Sequence, residues 1–189
     1  METALMVVDL QNDFCPGGAL PVAEGDQVVP LANELIERFT EAGSPIYFTR
    51  DWHPPNHMSF TDRGGPWPPH CVRDTPGARF HPDLHVPDTA QIISKATDVD
   101  TEAYSTFEGT GAADRLRARG VGAIVIVGLA TDYCVKHSVL DGLQEGFRMT
   151  VVPQAIRAVN VQPDDGDRAI EQMRQAGARF VGLDEVLGE

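Results

Sequence analysis

Short runs of β-branched and aliphatic residues alternate along this chain with segments of helical length and periodicity, and several of the runs close on a polar side chain. Leu5-Met6-Val7-Val8 is continuously apolar and stops at Asp9, as expected of a strand covered on both faces. From Asp26 to Ala42 the apolar residues Val28, Leu31, Leu35 and Phe39 recur at three- and four-residue spacing, and Gly43 supplies a stop. Pro45 to Arg50 reads as a second strand ending at Asp51, and Gln91 to Ser94 as a third ending at Lys95. A short helix fits Ala112 to Arg119, and Ala123 to Leu129 is the clearest strand. Thr131 to Glu145 then places Val135, Val139 and Leu143 on one helical face. Met149 to Val152, a helix from Asp164 or Asp165 to Gln175, and Arg179 to Gly182 complete the pattern. Such alternation predicts a three-layer α/β/α fold around a six-stranded, mainly parallel sheet.

With 189 residues the chain is of single-domain size, and no linker or repeat divides it, so one domain over 1–189 is expected. The formal charge of -13 argues against nucleic acid or an anionic membrane as a partner, since both need a basic footprint. Its longest apolar stretch, Val121 to Ala130, falls far short of the ~20 residues a membrane helix requires. Three cysteines, Cys15, Cys71 and Cys134, make a poor disulfide framework, and no secretory leader is visible; a reducing cytoplasm is the expected setting. A homo-oligomer is compatible with this reading, and the sequence does not specify one.

In open parallel sheets, ligands bind beyond the carboxyl ends of the strands. Asp9, Asp51 and Lys95 follow directly on three strands, and Cys134 falls in the first turn of the helix after the fourth. Taken singly, each could be a surface or capping residue; an acid, a second acid, an amine and a thiol on one sheet edge make coincidence a poor account. A helix start favours thiolate, a Lys95 ammonium nearby would lower the thiol pKa toward neutrality, and Asp9 could carry the proton. The turn Gly128-Leu129-Ala130-Thr131 offers backbone N–H groups for an oxyanion. The competing reading for Cys134 is an inert core thiol, the reading retained for Cys15 and Cys71.

The stretch from Trp52 to Thr89 lacks periodicity but is rich in proline, aromatics and histidine. Irregular segments of that length are usually functional or disordered, and its aromatics argue against disorder. Asp51, His53, His57 and His70 offer one carboxylate and three imidazoles, a donor set suited to one divalent ion: Zn, Fe or Mn, with Zn favoured. Solvent-facing histidines in a polar loop are the alternative. His81 and His85 could also bind a metal, but nothing ties them to a strand end.

Together these segments resemble the nicotinamidases of the isochorismatase-like cysteine hydrolase superfamily. The resemblance is carried by Val8-Asp9-Leu10-Gln11-Asn12-Asp13-Phe14, Asp51-Trp52-His53 with His57, Trp67-Pro68-Pro69-His70-Cys71, Lys95, Tyr104-Ser105 with Phe107-Glu108-Gly109, and Gly128 to Val135. It implies Cys134 as nucleophile, Asp9 as proton shuttle, Lys95 as the activating charge, and a divalent ion on Asp51, His53, His57 and His70. Phe14, Leu20, Trp67 and Tyr104 would wall a ring slot, with Ala130, Thr131 and Tyr133 beside it. The resemblance further implies a cis peptide immediately before Thr131, hydrolysis of nicotinamide through a thioester in NAD salvage, and acceptance of pyrazinamide.

Other readings carry their own signatures. A carbamoyl-group amidohydrolase of the same superfamily would lack the metal donors. A metallohydrolase using metal-bound water would survive alkylation of Cys134. A non-catalytic module would have no need of the Asp–Lys–Cys set. A dinucleotide-binding domain would show G-x-G-x-x-G after the first strand, where this chain has Asp-Leu-Gln-Asn-Asp-Phe.

Overall fold

The computed structural model describes residues 1–188, so the expected domain end at Glu189 lies just outside the described residues. Six parallel strands, β1 (Glu2–Val8), β2 (Ile46–Asp51), β3 (Gln91–Lys95), β4 (Val121–Leu129), β5 (Arg148–Arg157) and β6 (Arg179–Phe180), form one sheet in the order β3-β2-β1-β4-β5-β6. Among the described residues five helices flank it: α1 (Val28–Glu41), α2 (Ala112–Ala118), α3 (Lys136–Gln144), α4 (Asp165–Gln175) and α5 (Leu183–Leu187). None is long and apolar enough to cross a membrane.

Side chains of a strand alternate between faces, and the two cores follow that period. Leu5, Val7, Phe48, Val125 and Val127 pack with Val28, Ala32, Leu35 and Ile36 of α1 and with Leu183 of α5. Met6, Val8, Tyr47, Ile124 and Ile126 pack on the opposite face with Leu116 of α2, Val139 of α3 and Met173 of α4. The three layers expected from the alternation are therefore present.

Several boundaries differ from expectation. The helix expected from Thr131 is a π-helical turn over Thr131–Val135, followed by α3; Val135 donates to the Ala130 carbonyl, the wide-turn bond. Strand β5 continues through Pro153 to Arg157, where the local pattern predicted a stop. Its pairing with β4 shifts between Ile126↔Val151 and Gly128↔Ile156, so Pro153 sits in an irregular stretch that does not require its missing N–H. The last strand spans only Arg179–Phe180, and α5 follows where no helix was expected.

At the carboxyl edge Val8 of β1 pairs with Gly128 of β4. Gly128 has φ +118, and a Cβ there would lie 2.0 Å from the Val8 carbonyl oxygen, so only glycine fits. The long loop after β2 is ordered by single bridges: His53 to Val72, Phe60 to Trp67, and Phe80 back to Gln11. These bring its histidines back over the sheet edge.

Candidate active site

Asp9 leaves β1 with φ +49, a left-handed conformation in which Asp is enriched among non-glycine residues. Its carboxylate is fully buried, accepts the Thr49 hydroxyl at 2.6 Å and lies 2.8 Å from the Lys95 ammonium. Lys95 Nζ also lies 3.3 Å from Cys134 Sγ and is bound to Asp51 Oδ1. Acid, amine and thiol thus meet at the ends of β1 and β3 and in the turn after β4. Sequence reasoning placed Asp51 among the metal donors and missed its pairing with Lys95. The parallel register puts these two residues side by side, which becomes visible only once β2 and β3 are adjacent.

Burial weighs most heavily on the thiol. It pushes Cys134 well above the ordinary thiol range; Lys95 pulls it down, while Asp9 and Asp51 push it up again. For the thiolate expected near neutrality the balance is therefore mixed: burial and the two carboxylates oppose a negative sulfur, and the Lys95 ammonium 3.3 Å away favours it. Asp9 moves the other way from an ordinary ion-paired acid. Burial raises its pKa, and the Lys95 charge offsets this only in part. Burial also works against the charge on Asp51, but Lys95, His53 and His70 outweigh it and hold that carboxyl below the usual range. Two acids on one amine are thereby pushed apart, one toward proton uptake and one toward permanent charge.

The metal-donor candidates divide. Donor atoms of Asp51, His53 and His70 converge within 4.8 Å of one another. His53 Nδ1 sits 3.1 Å from the Ala96 carbonyl and His70 Nδ1 2.8 Å from that of Pro68, so each ring donates there and keeps its Nε2 lone pair. His53 Nε2 is buried without a hydrogen-bond partner, 3.6 Å from Asp51 Oδ2, as suits an atom reserved for a cation. His57 is different. Its Nε2 donates to the Thr101 carbonyl at 3.0 Å and its Nδ1 accepts from the Ser59 hydroxyl at 2.8 Å, leaving no free lone pair. The ring stacks on His53 at 4.2 Å between centroids, a supporting position beside the donor group. Among the described residues, His81 and His85 do not join this cluster.

Beside the thiol and these donors opens a mainly apolar slot of about 380 Å³ including its mouth. Phe14, Leu20, Trp67, Tyr104, Ala130 and Tyr133 line it as expected, together with Leu129 from the same turn and Val159, which carries no sequence signal of its own. Trp67 Nε1 donates to the Tyr104 hydroxyl at 2.9 Å, fixing one wall. Thr131 does not line the slot; it is buried where the π-helical turn begins. The cis peptide joins Leu129 to Ala130, one bond earlier than expected. Gln11 supports Asp51 from behind: its amide donates to the Asp51 carbonyl and its oxygen accepts the Asp51 N–H, both at 2.8 Å.

Comparison with known proteins is consistent with this geometry. The nicotinamidase of Escherichia coli (strain K12) is 41% identical, covering 95% of this chain and 94% of that protein. The pyrazinamidase of Pyrococcus horikoshii in complex with zinc superposes with a TM-score of 0.92 at 52% identity, covering 96% of this chain and 99% of that one. PnC1 from L. infantum in complex with nicotinate gives a TM-score of 0.89 at 30% identity, covering 96% and 92% of the two chains. A family model described as the isochorismatase domain matches residues 3–185, and the chain belongs to that family.

Proposed function

We propose that this protein is a nicotinamidase, hydrolysing nicotinamide to nicotinate and ammonia with Cys134 as nucleophile. The observation that carries the reading is the meeting of Asp9, Lys95 and Cys134 beside a mainly apolar slot that Asp51 and His70 also line, with His53 next to those two donors. Relatives named for nicotinamide and pyrazinamide hydrolysis support the substrate.

Asp9 takes the thiol proton as sulfur attacks the carboxamide carbon, and the Lys95 ammonium compensates the charge that shifts from acid to sulfur. Oxyanion donors come from the turn after β4. The resemblance to the nicotinamidases points to the amides near Thr131 and Cys134 for this role, and the Tyr133 and Val135 N–H groups are engaged by the Ala130 carbonyl. Asp9 returns its proton to the amide nitrogen, the C–N bond breaks, ammonia departs and a thioester remains. Water, losing a proton to Asp9, then attacks the thioester; nicotinate is released and the thiol regains its proton.

Zinc is the ion proposed for Asp51, His53 and His70, with His57 as their stacking support. When bound it supplies a Lewis-acid anchor for the pyridine nitrogen. The slot's few polar groups suit a flat heterocycle, so pyrazinamide is proposed as a second substrate. A role in NAD salvage and a cytoplasmic setting are proposed with it, the latter supported by three unpaired cysteines.

The experiment is ammonia release from nicotinamide by Cys134→Ala. Loss of at least about a thousandfold in kcat with zinc content retained is expected; a variant keeping near-normal turnover would point instead to metal-bound water as nucleophile.

A further inference from the structure

We propose that Asp13 is a positioning residue that locks the metal-donor cluster to the ring slot, an inference resting on the metal-assisted reading above. Asp13 lies in a one-turn 3-10 helix, Asn12–Phe14, just beyond the end of β1. Its Oδ2 accepts the Cys71 N–H at 2.7 Å and its Oδ1 the Ala19 N–H at 3.1 Å, while its own carbonyl accepts the Leu20 N–H at 2.9 Å. Cys71 holds φ +44, a left-handed conformation rare for this residue type. Among the described residues no Lys or Arg pairs with the Asp13 carboxylate, so its charge is directed at backbone amides.

Each segment it ties belongs to the site. Cys71 follows His70, Ala19 precedes Leu20, and Asp13 itself precedes Phe14. The rings of Phe14 and His70 stand 5.6 Å apart, so the clamp spans a slot wall and a metal donor directly. A third segment closes on the same carboxylate: a Cβ at Gly77 would lie 2.2 Å from Asp13 Oδ2, so the turn Pro76–Ala78 packs against it only because residue 77 lacks a side chain. The Asp9–Lys95–Cys134 group is held by contacts of its own: Asp9 leaves β1 four residues before Asp13 and is fixed by Thr49 and Lys95, and Lys95 and Cys134 come from the ends of β3 and β4. Loosening Asp13 therefore moves the zinc donor and the ring wall together and leaves the reacting groups in place.

The test uses zinc affinity measured by chelator competition without substrate, alongside KM and kcat for nicotinamide at saturating zinc. Asp13→Ala is expected to weaken zinc by about 10–100-fold and to raise KM, with kcat held within about threefold. Asp13→Asn, which keeps one acceptor oxygen, should recover part of both losses. Gly77→Ala drives a methyl into the carboxylate while leaving Asp13 present and should reproduce the paired loss. Folded variants with wild-type zinc affinity and KM, or with a loss confined to kcat, would overturn the assignment. His70→Ala separates the two levels: if it holds zinc as tightly as the wild type, the metal reading itself falls. If it loses zinc while the Asp13 and Gly77 variants do not, only the role of Asp13 falls.

Discussion

Asp51 and Lys95 stand opposite each other at the ends of neighbouring parallel strands, and their ion pair joins the metal donors to the nucleophile. One carboxylate therefore belongs to both halves of the site: its Oδ1 meets the ammonium and its Oδ2 faces His53 Nε2. An ion on Asp51 would draw on the same negative charge that Lys95 now satisfies, returning more of the lysine's field to the sulfur. The two halves are electrostatically one centre.

The thiol is expected to be slow toward alkylation at neutral pH. Burial, together with Asp9 and Asp51, holds its pKa above the ordinary thiol range, so the thiolate fraction should keep growing as the solution is made more alkaline. The rate of Cys134 modification by iodoacetamide in the metal-free enzyme should climb through pH 9 without a plateau near 7. A plateau at neutrality would restore the preformed thiolate.

Histidine substitutions should separate donors from support. His53→Ala and His70→Ala should lose bound zinc on gel filtration, whereas His57→Gln should retain stoichiometric zinc with affinity lowered about tenfold. Equal loss from all three would place His57 among the ligands.

Removing the Tyr104 hydroxyl tests the slot wall. Tyr104→Phe leaves the Trp67 N–H without its partner, a cost of about 1 kcal/mol, so KM for nicotinamide should rise about fivefold with little change in kcat. Steady-state kinetics checks this; a fall confined to kcat would put the hydroxyl in the chemistry.

At the sheet edge, Gly128→Ala combines a left-handed φ with a methyl 2.0 Å from the Val8 carbonyl. A loss of about 3 kcal/mol or more is expected, read as a lower urea midpoint. An unchanged midpoint would mean the two strands can separate at no cost.

The local pattern of apolar runs and helical stretches already determined the sheet, its flanking layers and the acid, amine and thiol at its edge, because strand and helix periods are properties of neighbouring residues. Asp9, Lys95 and Cys134 were legible for that reason, and His53 and His70 through their motifs. What waited on the tertiary structure were quantities that depend on distant groups. Burial and two carboxylates oppose the lysine at Cys134, and hydrogen bonds from Ser59 and to Thr101 occupied both nitrogens of His57. The pairing shift that carries β5 past Pro153, and the arrival of Val159 at the slot, were likewise invisible. Sequence spacing names which side chains are available; only packing decides which lone pairs stay free and which charges stay unspent.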